Sequence, residues 1–161
     1  MKFKPVPPAT DLETLDAVRR SVPLVPDTAT DCCTRVATRR EMSVEQANTW
    51  LSFLRALSLV RETDAGFVRV RGQFDRADLA VAFRERVFGA AEVLAVLADA
   101  TDSLSADEVF ERFEEHVPEW ERRREPSGWR ARWGERVERL LDWAVVFNLA
   151  ERTDGTYRLA D

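Results

Sequence analysis

Two stretches of this chain, ninety residues apart, carry the same succession of a helical pattern and a tight hairpin turn, and that repeat limits the fold more than any other feature. In the first stretch Trp50, Leu51, Phe53 and Leu57 lead into Leu59, Thr63 and Asp64; in the second Leu140, Leu141, Trp143 and Phe147 lead into Leu149, Thr153 and Asp154. With a one-residue gap in the turn, Gly66 aligns with Gly155, Arg69 with Arg158 and Val70 with Leu159. Chance supplies a helix pattern or a turn, but rarely both in one register, so the chain reads as a duplicated unit. Two units in 161 residues leave about 70–80 residues each. Hydrophobic residues at 45%, with five Trp, are enough for each unit to bury a core.

The local signals fill in the elements. Pro5, Pro7 and Pro8 predict an extended arm over residues 1–10. Asp11 caps a short helix with Leu12, Leu15 and Val18 inward, and Pro23 and Pro26 end it. Thr30 or Asp31 caps a second helix to about Arg39. Ser43-Val44-Glu45-Gln46 is a capping box opening a third helix, whose apolar stripe is Ala47, Trp50, Leu51, Leu54 and Leu57. Strands over 59–62 and 67–71 flank Asp64-Ala65-Gly66, which has hairpin-turn chemistry.

Residues 75–100 then read as helical, with Gly89 marking a break or a close contact. One stripe is Leu79, Phe83, Val87, Ala90, Leu94 and Leu97; Val81, Phe88 and Ala95, seven apart, suggest a second apolar face. Ser105 with Glu108 opens a helix to about His116. An Arg-rich connector covers 119–128, and a long helix over 129–147 carries Trp129, Trp133, Val137, Leu140, Ala144 and Phe147 on one face. A second hairpin, 149–152 and 156–159, turns at Asp154-Gly155.

The first copy resembles the winged helix-turn-helix family. The residues are 37–51 (Ala37-Thr38-Arg39-Arg40-Glu41-Met42-Ser43 into Val44-Glu45-Gln46-Ala47-Asn48-Thr49-Trp50-Leu51), then 57–63, then Gly66-Phe67-Val68-Arg69-Val70. They follow the order helix, turn, recognition helix, wing. Met42 and Ser58 stand where the family often has Gly, and the second copy has a longer connector before its last helix. The resemblance covers most of residues 28–71 and 89–160. It implies a mainly α fold with small β-hairpin wings, two tandem winged helix-turn-helix units. The expected division is an N-terminal arm and helix (1–27), a first unit (28–74), a connecting helix (75–88) and a second unit (89–161).

Charge decides what such units can hold. The net charge is −5 with 24 Lys plus Arg, of which only Lys2 and Lys4 are lysines. Arg in place of Lys, with abundant Asp and Glu, fits a high-GC genome and favours a halophile whose acidic surface stays soluble in salt. Residues 35–76 hold eight basic and five acidic groups, whereas 77–118 hold three and ten. The first helix-turn-helix is thus locally basic within an acidic chain.

A winged helix on double-stranded DNA puts its recognition helix in the major groove and its wing on the backbone. In the first copy Gln46, Asn48, Thr49 and Ser52 would face bases, since Gln and Asn can bind adenine through two hydrogen bonds. Arg39, Arg40, Arg55, Arg69 and Arg71 would hold phosphates. In the second copy Arg132, Arg136 and Arg139 are possible contacts, but Glu135, Glu138 and Asp142 alternate with them as on a solvated face. Trp129 and Trp133 could stack bases, although their place on the stripe makes them core. Winged helices also dock proteins, so the alternative is a non-catalytic docking module. The face around Phe88 would then meet a second copy or a protein partner.

No catalytic constellation, phosphate loop or metal-ligand spacing is present, so no enzyme, cofactor or metal is expected. Adjacent Cys32 and Cys33 read as small buried helix residues. Met1-Lys2-Phe3-Lys4-Pro5 lacks the apolar run of a signal peptide, and no stretch is apolar enough for a span, which leaves the cytoplasm as the expected address.

Overall fold

A computed structural model describes residues 4–26 and 28–160. Residues 1–3 of the expected arm and Asp161 lie outside the described residues. Contacts divide the chain into two compact units, Met1–Val87 and Phe88–Asp161.

In the first unit α1 (Leu12–Arg20) starts at Asp11, whose carboxylate accepts from Thr14 N at 2.7 Å, and buries Leu15 and Val18. Helix α2 (Ala29–Arg40) is capped by Thr28, which accepts from Asp31 N, and not by Thr30 or Asp31. Asp31 instead sits in the first turn, where its charge meets the positive helix end. The turn into α3 (Val44–Ala56) places the left-handed φ of 53° on Glu41 rather than on Met42. The Ser43–Gln46 capping box is fully formed, and Ala47, Trp50, Leu51, Leu54 and Leu57 are buried as the stripe predicts. Strands β1 (Val60–Thr63) and β2 (Gly66–Arg69) make the wing hairpin, and α4 (Arg76–Arg86) closes the unit.

The second unit runs α5 (Ala90–Asp99), β3 (Leu104–Ser105), α6 (Ala106–Phe113), a 3-10 turn (Glu114–His116), α7 (Glu119–Arg124), α8 (Trp129–Val146), β4 (Ala150–Thr153) and β5 (Thr156–Leu159). Its sheet has the order β3-β5-β4, all antiparallel. Ser105 and Glu108 form the expected capping box.

The ninety-residue repeat is written in the backbone. Leu59 N bonds Leu54 O and Leu149 N bonds Ala144 O; Ser58 N bonds Arg55 O and Asn148 N bonds Val145 O; Val70 N bonds Leu59 O and Ala160 N bonds Leu149 O. Ser58 (φ 65°) and Asn148 (φ 60°) are both left-handed, each at the end of its long helix. Leu51 and Leu141 are buried at matching places. The offset runs unbroken through the hairpins, with Val60 opposite Arg69 and Ala150 opposite Leu159, so the one-residue gap is absent. The two turns differ in chemistry. Asp154 and Gly155 are both left-handed, the form that matches strand twist in a two-residue hairpin, whereas the first turn puts its positive φ on Gly66. Aligning the glycines therefore misplaced the register.

Three expectations need correction. The first concerns residues 75–100, which are two helices broken at Gly89, one of the two roles read there: Val87 is extended and Gly89 takes φ +93°. A Cβ on Gly89 would lie 3.0 Å from Leu140 Cδ1 and 3.2 Å from Phe113 Cζ, so both the backbone angle and the space require glycine. Because of this break, Val81, Phe88 and Ala95 do not lie on one continuous helix. Val81 and Ala95 are exposed, while Phe88 is half-buried and meets Trp133 edge to face at 5.7 Å. The seven-residue spacing therefore gives no support to the homodimer or protein partner expected around Phe88. Second, the connector 119–128 contains α7, whose Glu119 and Glu121 lie at the positive end and Arg122, Arg123 and Arg124 at the negative end. Third, the second hairpin is extended by a strand that the sequence reading did not include, β3, which pairs with β5.

Candidate nucleic-acid interface

The α2–turn–α3 segment presents one side of α3 to solvent because its other side is the apolar stripe. Val44, Glu45, Gln46 and Asn48 are exposed, and Thr49 and Ser52 are half-buried beside them. The four base-facing candidates thus lie together, but they are not equally free. Gln46 Oε1 accepts from Ser43 N at 2.9 Å, which leaves one lone pair of Oε1 and the two amide hydrogens for a ligand. A two-bond grip on adenine needs both atoms, and the cap bond fixes the orientation from which they can be offered. Asn48 Oδ1 faces the Cys33 thiol at 3.7 Å, a weak bond. Thr49 Oγ1 is bonded to Glu45 O at 3.2 Å, leaving its lone pairs outward.

The phosphate candidates divide in the same way. Arg39 and Arg40 end α2 and are exposed, as is Arg71 beyond β2. Among the described residues these three and Arg69 make no ion pair. Arg55, in contrast, pairs with Glu62 at 2.8 Å and lies over Phe67 at 5.9 Å. Arg69 is half-buried, with its Nε enclosed and lacking a hydrogen-bond partner. Burial first, and then the neighbouring Arg19, hold its pKa below the ordinary arginine value, with Arg20 and Arg39 adding to the repulsion and Asp16 opposing it.

Arg19 was not anticipated from sequence. It donates to Val70 O at 3.1 Å and to Asp16 at 2.8 Å, which ties the end of α1 to the end of the wing. The only hint was the Arg19-Arg20 pair closing a helix.

The three candidate arginines of the second unit are committed internally. Arg132 pairs with Glu125 and lies 3.7 Å from Glu121, and Arg139 pairs with Glu135 one turn back. Arg136 donates from Nε and Nη2 to Phe88 O at 3.3 and 2.9 Å and lies over Trp133 at 5.6 Å. Burial draws its pKa down to about 10, partly offset by Glu121, so it stays charged at neutral pH as an internal clasp and not a surface contact. Alternating signs suggested a solvated face because the pattern does not reveal that one of the cations turns inward. Trp133 is core, near-parallel to Phe113 at 6.2 Å. Trp129 is half-buried under Arg122 and Arg130, at 4.6 and 5.1 Å. Cys32 and Cys33 are buried thiols, and burial pushes the pKa of Cys33 up.

Two helix-turn-helix units, each closed by a β-hairpin on the helix that precedes it, define a tandem winged-helix protein. The chain belongs to the halobacterial double winged helix domain family, whose profile matches residues 1–161. The halobacterial description agrees with the acidic, Arg-biased composition. No curated protein and no solved structure matches the chain. Among the described residues, no helix is long and apolar enough to cross a membrane.

Proposed function

We propose that this protein is a non-catalytic, cytoplasmic DNA-binding transcription regulator. It reads double-stranded DNA with the exposed side of α3 and holds the backbone with Arg39, Arg40, Arg69 and Arg71. One observation carries the reading: these four arginines make no ion pair among the described residues, while Arg55, Arg132, Arg136 and Arg139 are all engaged by carboxylates or a carbonyl. In an acidic protein, a set of unneutralised guanidinium groups beside an exposed helix suits a polyanion. Gln46, Asn48, Thr49 and Ser52 carry the base contacts in this reading, with Gln46 oriented by its cap bond and Arg55 serving the α3–wing join. The acidic stretch 77–118 favours a different use for the second unit, docking of a protein partner.

The test is binding to genomic fragments across a range of potassium chloride that keeps the chain folded. Arg40→Ala should weaken all sequences alike and lower the salt slope of log K by about 0.9. Asn48→Ala should cost roughly 1–3 kcal/mol at a selected site and little elsewhere. A folded protein that binds no fragment at any salt refutes the DNA reading and leaves the docking module in its place.

A further inference from the structure

The exposed side of α3 carries a definite order of hydrogen-bond donors and acceptors, because three of its polar side chains are each held by one inward bond. Gln46 Oε1 accepts from Ser43 N at 2.9 Å, and Asn48 Oδ1 accepts from the Cys33 thiol at 3.7 Å. In a carboxamide the oxygen and the nitrogen diverge from one carbon, so an oxygen held against the protein turns the NH2 group away from it. Both residues are exposed, and their NH2 groups face solvent. Thr49 is the reverse: its hydroxyl hydrogen goes to Glu45 O at 3.2 Å, and only lone pairs are left outward. The exposed Glu45 carboxylate, one turn before Thr49, can only accept.

Helix spacing arranges these groups. At 3.6 residues per turn, Gln46 and Asn48 fall on either side of Glu45 and Thr49 around the helix. The face reads donor, acceptor, acceptor, donor, with the Ser52 hydroxyl among them able to give or take. Cys33 is buried on α2 and holds Asn48 only while its thiol carries a proton. Burial pushes its pKa up, so the donor persists at neutral pH. In the major groove guanine presents two acceptors, O6 and N7, and no donor. Adenine sets its N6 amino group beside N7, where it opposes an outward NH2. Cytosine offers the N4 amino group that a carboxylate or a threonine lone pair accepts.

We propose that α3 reads a G·C-rich site, with guanine acceptors under Gln46 and Asn48, cytosine amino groups under Glu45 and Thr49, and Cys33 as the residue that positions the Asn48 carboxamide. This rests on the DNA reading of α3, and puts guanine where residue types alone suggest adenine.

The experiment selects duplexes from a random library with the full chain, in potassium chloride that keeps it folded. Wild type should enrich a core rich in G·C pairs. Asn48→Asp keeps the shape of an exposed side chain but only accepts, so one position of the core should change from guanine to cytosine. At that position 7-deazaguanine, which pairs normally but lacks N7, should weaken wild-type binding about tenfold. Cys33→Ser keeps a donor and should keep guanine there, whereas Cys33→Ala frees the carboxamide and should admit adenine, with thermal melting showing that both variants fold. An A·T-rich core, duplexes retained without enrichment, or a core unchanged in Asn48→Asp would overturn the proposal and leave the DNA reading standing. Guanine kept as strictly in folded Cys33→Ala as in wild type removes the role of Cys33. A folded protein that retains no duplex overturns both readings.

Discussion

Tyr157 is the single tyrosine of the chain, which makes one buried hydrogen bond separately measurable. Its ring is almost wholly enclosed, and its hydroxyl donates to Asp142 Oδ1 at 2.5 Å. Burial, and then that bond, raise the phenol above its ordinary pKa of 10.0. Replacing Tyr157 with Phe removes a hydrogen bond to a charged acceptor, an interaction of about 1.5–3 kcal/mol. Asp142 would retain Arg152 at 3.5 Å and its own access to water, so the loss should fall at the low end, about 1.5 kcal/mol. The alkaline limb carries a second signature. The folded protein keeps a proton that the unfolded chain releases above pH 10, so wild-type stability should fall there by up to about 1.4 kcal/mol per pH unit. The Phe variant lacks that contribution, and the gap between the two proteins should narrow as pH rises. Urea unfolding in molar potassium chloride across pH measures both effects, and phenolate absorbance of the folded protein reports the tyrosine directly. A phenol titrating near its ordinary value in the folded state, or a variant as stable as wild type at neutral pH, would refute the reasoning.

Three other outcomes are expected. Glu108 is held below its ordinary 4.5 by hydrogen bonds from Ser105, so its stabilisation is present above that value and lost as pH falls through the lowered one; Glu108→Gln should flatten the acid limb of the melting curve against pH while changing little at neutrality. An unchanged acid limb counts against the cap. Asn148→Gly relieves a left-handed residue and should stabilise by about 0.5 kcal/mol in urea. Gly89→Ala combines φ +93° with a Cβ at 3.0 Å from Leu140 and should cost about 2–4 kcal/mol by thermal melting; a smaller loss would mean that the core gives way there.

What the sequence makes legible is what is local and periodic. The boxes Ser43–Gln46 and Ser105–Glu108 and the α3 stripe are complete within a few residues, and each is found as predicted. The break at Val87–Gly89 is signalled by Gly89 alone, because Leu79, Phe83, Val87, Ala90, Leu94 and Leu97 keep helical spacing straight across it, and all six are buried. Helix α7 is hidden for the opposite reason: its anchor is a buried carboxylate, Glu121, bonded by Arg124 and near Arg132, in a stretch with little apolar signal. Strand β3 is two residues long and exists only through its pairing with β5. At the candidate site, sequence brings the polar side of α3 and the Gln46 cap into view but does not show how the cap bond orients Gln46 or that Arg136 is turned inward. Both depend on partners, Ser43 N and Phe88 O, that residue types alone do not select.

The shared backbone of the two wings creates a hazard during folding. Each long helix ends in the same left-handed residue and the same carbonyl acceptors, so a hairpin of one copy meets a familiar socket on the other. Tandem modules of like topology are prone to such exchanged assemblies. Side chains at matching positions stand against it. Ala150 occupies the place of Val60, and the buried Tyr157 that of the half-exposed Phe67. Asp142, the hydroxyl's acceptor, has Ser52 as its counterpart. An exchanged second hairpin would leave a void at Ala150 and strand a phenol without its carboxylate. The duplicated frame is thus keyed, with one polar pair and a few mismatched volumes making each hairpin fit its own helix alone.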